Sequence, residues 1–183
     1  MSSLLIIGIL LWILPHLFKR IAPARREAMG NAGKGLVAAG VTIGLVLMVL
    51  GYRASDEIFV YAPPSWGVHL NNTLMFIAVL LFGVGNSKSR LRARMRHPML
   101  IGTLLWGVSH LLVNGDLASL VLFGSMIAWA LVEMTLINRQ VHSYVPYDGG
   151  SAAGDVRLFV ISIVVFIVLA AVHWWLGYYP FPR

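Results

Sequence analysis

The stretch RLFVISIVVFIVLAAVHWWLGY, residues 157–178, decides the fold. Beyond Arg157 it contains no Lys, Arg, Asp or Glu. A run of about 20 such residues, wound as a helix, covers the hydrocarbon core of a bilayer. It is too long for a strand and too uniformly apolar for a helix with one solvated face. Working back toward the N-terminus, five more apolar segments appear at about residues 3–18, 35–52, 68–86, 98–114 and 117–137. The first and fourth are the shortest. Lys19-Arg20 closes the first, and Ser55-Asp56-Glu57 with Pro63-Pro64 separates the second from the third. Asn114-Gly115-Asp116 is a tight turn that predicts an antiparallel hairpin of the fourth and fifth. Tyr147 to Gly154 is a polar linker before the sixth.

Composition agrees with that reading. Of 183 residues, 58% are hydrophobic and 11% charged, whereas soluble domains carry about 25% charged residues. Lipid is the solvent such a chain needs. The spans use most of its length, so residues 1–183 are read as a single transmembrane domain. No cysteine is present, which excludes disulfides, zinc–thiolate sites and iron–sulfur ligation. Met1-Ser2-Ser3 lacks a basic leader and a small-residue cleavage site, so the first apolar segment is read as a retained span.

The net charge of +7 orients the chain. Lys19, Arg20, Arg25, Arg26 and Lys34 lie in one connection. Lys88, Arg90, Arg92, Arg94 and Arg96 lie in another, and Arg139 and Arg157 flank the linker. Only Arg53 and Arg183 fall on the opposite side, with Asp56, Glu57 and Asp116. The positive-inside rule puts the basic connections in the cytoplasm. The expectation is an all-α, polytopic membrane helix bundle of about six transmembrane helices with both termini outside the cytoplasm. The Arg90–Arg96 run adjoins a span and is short, so no nucleic-acid partner is expected. Gly40 and Gly44 form a GxxxG pair, read as packing the second helix within the chain. Trp66, Trp106, Trp174, Trp175, Tyr178 and Tyr179 read as interfacial aromatic anchors.

Ionisable groups inside a membrane are costly and mark function. His142 falls in a cytoplasmic loop and His173 near the outer interface. The other four histidines form two layers. His16, ending the first span, and His97, before Pro98, share the inner one; His69 and His110 share the outer one. His97 and His110 are thirteen residues apart, about 19 Å along a helix and about 220° around it, so they do not ligate one metal together. Paired imidazoles from different helices suit axial ligation of haem iron. The first pair to consider is His16 and His97, with His69 and His110 as the alternative. No carboxylate cluster or i, i+4 histidine pair points to zinc or di-iron. Arg20, Arg25, Arg94 and Arg96 adjoin the inner layer and supply cations for haem propionates. The competing reading is that each histidine caps a helix or bonds a nearby carbonyl. Glu133, the one carboxylate within a span, either orients His16 or His97 through the ring nitrogen away from a metal, or snorkels toward Arg139.

The ordered set Arg96-His97-Pro98-Met99-Leu100, Leu105-Trp106, Ser109-His110-Leu111-Leu112, Asn114-Gly115-Asp116-Leu117-Ala118, Leu122-Phe123-Gly124 and Ala128-Trp129-Ala130-Leu131 resembles the NnrU family. So do Pro63-Pro64-Ser65-Trp66 before His69, and His16 ahead of a basic loop. The resemblance covers nearly the whole chain. It implies a multi-pass protein of the bacterial inner membrane, associated with denitrification. The family is in turn similar to the plant 15-cis-zeta-carotene isomerase, a haem b membrane enzyme. That similarity implies haem b held by His16 and His97. A further functional histidine of the isomerase falls near Tyr52, whose phenol is not the same ligand.

Three functions follow as expectations. One is a haem b protein that performs redox-dependent cis–trans isomerisation of a hydrophobic polyene. The second is a non-enzymatic accessory partner in nitrite or nitric oxide reduction. The third is a proton or solute conductor using histidine relays, ranked last because the chain has no internal repeat and no chain of acids.

Overall fold

The computed structural model describes residues 2–181. Those residues form eight helices and no strand. They fall into two compact units, one of residues 1–62 with 115–137 and one of residues 63–114 with 138–183.

In the first unit, α1 (Ser3–Ile21) starts where the Ser2 hydroxyl accepts from the Leu4 amide, and ends in Lys19 and Arg20, whose charge suits the negative end of the helix. A short α2 (Pro23–Ala28) opens on Pro23, a position that requires no amide proton. It leads into α3 (Gly30–Arg53). The close approach of α1 and α3 is set by glycine. A Cβ on Gly44 would stand 2.8 Å from the Trp12 amide nitrogen and 2.9 Å from the Gly8 carbonyl oxygen. A Cβ on Gly51 would collide with the backbone of Leu5. The GxxxG pair therefore packs α3 onto α1 inside the chain, Gly44 against α1 backbone and Gly40 against the Pro15 ring. Leu5, Ile9 and Met48 fill the buried side of this contact.

The loop after α3 is tied to the start of α7 (Leu117–Gln140). Val60 and Tyr61 amides donate to the Gly115 carbonyl, and the Leu117 amide donates to the Ile58 carbonyl. Asp116 accepts from the Ser119 amide at 2.9 Å, satisfying one of the orphan donors of the α7 N-terminus. The buried residues of α7 recur at helical spacing: Ser119, Leu122, Phe123, Met126, Trp129, Ala130 and Glu133.

In the second unit, α4 (Gly67–Val84) packs with α6 (Pro98–Leu111) and with α8 (Ala152–Trp175). Leu81, Val84 and Leu158 form its core. A one-turn helix, α5 (Leu91–Arg94), lies in the basic connection. That connection is clipped to the start of α8. The Ser89 hydroxyl and Arg90 amide donate to Asp155 Oδ1, at 2.7 and 2.8 Å, and Arg90 Nε donates to Oδ2 at 2.6 Å. Gly154 passes so close to the Lys88 carbonyl that a side chain there has no room. The linker folds onto the same connection, with Arg92 over the Tyr147 ring and Arg96 over the Tyr144 ring.

Five helices are long and apolar enough to cross a membrane: α1, α3, α4, α7 and α8. The fourth apolar segment gives only the 14 residues of α6, roughly 21 Å at 1.5 Å per residue, short of a hydrocarbon core of about 30 Å. The next residues leave the helix because the Val113 and Asn114 amides, and the Asn114 side chain, all turn back to the His110 carbonyl. The outward faces are apolar: Val156, Val160, Val164 and Ile167 of α8 are each more than half exposed. Such a surface calls for lipid.

Candidate functional site

The first unit gathers its chemistry where α1 meets α7. Trp12, His16 and Arg20 follow one another at four-residue spacing and so share a face of α1. Trp129 and Glu133 do the same on α7. The His16 ring lies 4.7 Å from the Trp12 ring and 4.9 Å from the Trp129 ring, centroid to centroid. The two indoles meet edge to face at 5.9 Å. One turn further along both helices, Arg20 Nε donates to Glu133 Oε1 at 2.8 Å.

His16 Nδ1 stands 2.7 Å from the Trp12 carbonyl oxygen. A carbonyl only accepts, so the proton is on Nδ1 and the lone pair is on Nε2. That is the tautomer a metal-ligating imidazole needs, with the ring held by the backbone of its own helix. The Nδ1 proton therefore does not go to Glu133. For His16, a carbonyl one turn away on α1 holds the ring, and Arg20 takes the acid. Arg139 is not the acid's partner either.

Three buried polar atoms in this cluster have no hydrogen-bond partner: Trp12 Nε1, Trp129 Nε1 and Glu133 Oε2. Each orphan of this kind costs about 1–3 kcal/mol when nothing meets it. Sequence reasoning gave neither tryptophan a place in the site: Trp129 appeared only within the family resemblance, and Trp12 not at all. Their four-residue spacing to His16 and Glu133 was the available signal.

Further along α7, Tyr52 Oη lies 2.8 Å from Ser119 Oγ, and Ser119 Oγ lies 2.5 Å from Asp116 Oδ2. The carboxylate accepts the serine proton, so the phenol donates to the serine oxygen. Tyr52, with its ring against Phe123, thus belongs to a chain of hydrogen bonds that ends on the α7 cap. In the loop after α3, burial and then the Asp116 carboxylate raise the Tyr61 phenol above the ordinary tyrosine value.

The second unit holds the other histidines. His97 precedes α6, and its Nε2 lies 2.8 Å from Asn138 Oδ1. That bond places the proton on Nε2. His110 has Nδ1 2.9 Å from the Trp106 carbonyl, and His173 has Nδ1 2.7 Å from the Leu169 carbonyl. Both therefore carry the lone pair on Nε2, as His16 does. Their ring centroids are 6.4 Å apart, and both line a cavity of about 350 Å³ walled by Met75, Phe82, Trp106 and Val165. The neighbour of His110 in this cavity is His173, which sequence reasoning had set aside as interfacial; His69 is exposed. Trp106 is a cavity wall here. Of the expected propionate cations, Arg20 is bound to Glu133 and Arg96 donates to the Val141 carbonyl, while Arg94 is exposed. Among the described residues no three His, Asp or Glu side chains gather as a metal-binding group.

No curated protein and no solved structure matches this chain. The family model described as NnrU protein matches residues 4–180. With the apolar helices and the ordered histidine motifs at the two ends of α6, that match over nearly the whole chain makes it a member of the NnrU family.

Proposed function

We propose that this chain is a haem b-binding protein of the bacterial inner membrane. In this reading it crosses the bilayer six times, with α6 and the turn after it as the shortest crossing and both termini outside the cytoplasm, and His16 would hold the iron. The observation that carries the proposal is the state of His16. Its Nδ1 is tied to the Trp12 carbonyl, its lone pair is on Nε2, and two indoles wall its ring. When bound, haem supplies a one-electron redox centre within an apolar bundle. The chain would supply the imidazole and fix its tautomer.

His97 is the second ligand that the family resemblance implies. Its Nε2 proton is engaged by Asn138, so coordination through Nε2 requires that bond to break. His110 already carries its lone pair on Nε2 and, with His69, makes the alternative outer pair. Arg25 and Arg94 are the exposed cations for propionates. Haem retained through purification by the wild type and by His16→Ala, His97→Ala and His110→Ala separates these readings. The expected result is loss in His16→Ala and His97→Ala, with haem kept by His110→Ala. Full retention in His16→Ala would overturn the assignment.

Two activities are compatible with such a centre: cis–trans isomerisation of a polyene such as zeta-carotene, and an accessory role in nitrite or nitric oxide reduction. One observation favours the accessory role. Tyr52, near the position of a functional histidine in the isomerase, is committed to the Ser119–Asp116 chain and offers no imidazole. Incubation with tri-cis zeta-carotene under reducing conditions tests this. No isomerised product is expected, and turnover would restore the isomerase reading.

A further inference from the structure

We propose that Trp12, Trp129 and Glu133 form a binding site for a single hydroxyl oxygen, carried either by water or by an alcohol drawn from the membrane. Trp129 and Glu133 are each 7% exposed, so both are more than nine-tenths buried. Trp129 Nε1, Trp12 Nε1 and Glu133 Oε2 are all unpartnered. The three side chains belong to one cluster: the indoles touch, and Trp129 and Glu133 are neighbours one turn apart on α7. None of these atoms is the His16 nitrogen assigned to iron.

The orphan set selects the guest. Two N–H donors require two acceptor lone pairs, and one carboxylate oxygen requires one donor. A hydroxyl has one donor and two lone pairs, matching that demand atom for atom. A ketone could accept from the indoles but would leave Glu133 Oε2 unmet. An ammonium could donate to the carboxylate but accept from neither indole. A second anion would face the Glu133 carboxylate, and Arg20 is already engaged with Oε1. A metal cation would face the positive ends of two indole dipoles and the Arg20 guanidinium. Water adds one spare proton to the hydroxyl pattern and needs two to four polar partners, which the cluster provides. A hydroxylated membrane lipid or quinol presents the same oxygen from the bilayer side.

The test is ultraviolet resonance Raman spectroscopy of the purified full-length protein, read in the indole N–H bending region. Subtracting the spectra of Trp12→Phe and Trp129→Phe from the wild type isolates each indole. Both difference signals are expected at the hydrogen-bonded position. A signal at the free N–H position for both would overturn the proposal. Infrared difference spectra in heavy-oxygen water then name the source. An O–H band that shifts identifies water. A band that stays, with an alcohol in the organic extract, identifies a membrane guest. Should either variant fail to fold, wild-type protein labelled at the indole nitrogen gives the same readout through its indole proton shifts.

Discussion

Arg20 and Glu133 meet at 2.8 Å with side chains only 19% and 10% exposed. A pair that dry depends on both members. Removing one leaves the other charge buried and unmet, which costs about 3–5 kcal/mol, while replacing both with apolar groups of similar size is close to neutral. Arg20→Met is therefore expected to lower the thermal midpoint in detergent sharply. Arg20→Met with Glu133→Leu should recover most of the loss. A double variant as unstable as the single would show that the pair does not act as a unit. This contact was half legible in the sequence. Glu133 stood out as an acid within a span, but the partner could not be chosen, because Arg20 is 113 positions away and Arg139 only six. The tautomers of His16, His97 and His110 were not legible at all. They depend on which carbonyl or amide each ring reaches, and spacing does not encode that.

At the scale of helices, glycine placement decides packing. A side chain at Gly44 enters the α1 backbone, whereas one at Gly35 meets nothing within 4 Å. Gly44→Leu should prevent α1 and α3 from closing and abolish folded protein. Gly35→Ala should be neutral or stabilise by up to about 1 kcal/mol through helix propensity. Expression and melting of the two variants check this, and equal tolerance would contradict the close contact. The clip of the basic connection onto α8 makes a second prediction. Asp155→Ala frees the Ser89 hydroxyl and the Arg90 amide and side chain. Proteolysis in residues 85–97 should accelerate, with cleavage elsewhere unchanged; an unchanged rate would show that the clip does not hold this segment. Element boundaries were read well from the sequence where charges or prolines mark them, as at Lys19-Arg20 and Pro98. The fourth segment was read as 98–114, but α6 ends at Leu111, because the turn back to the His110 carbonyl is a matter of backbone geometry and not of hydropathy.

For the whole molecule, orientation rests on where the basic residues fall, and the absence of cysteine makes it directly testable. Single cysteines at Asp56 and Asp116 should react with a membrane-impermeant thiol reagent added outside intact cells. Single cysteines at Ser87 and Ser143 should react only after the cells are opened. The opposite pattern would invert the topology. The membrane class was legible from composition alone, since 58% hydrophobic residues leave no aqueous alternative. The site was less so. The sequence supplied the histidines, but the grouping of Trp12 and Trp129 around His16, and of His173 with His110, came only from the packing of the helices.

Whether His16 presents its Nε2 to haem iron is read from the reduced-minus-oxidised difference spectrum of the purified protein, made with haem available, beside that of His16→Ala. The wild type should show b-type bands that the variant loses or clearly displaces. A colourless wild type, or bands identical in both proteins, would rule out His16 as the ligand.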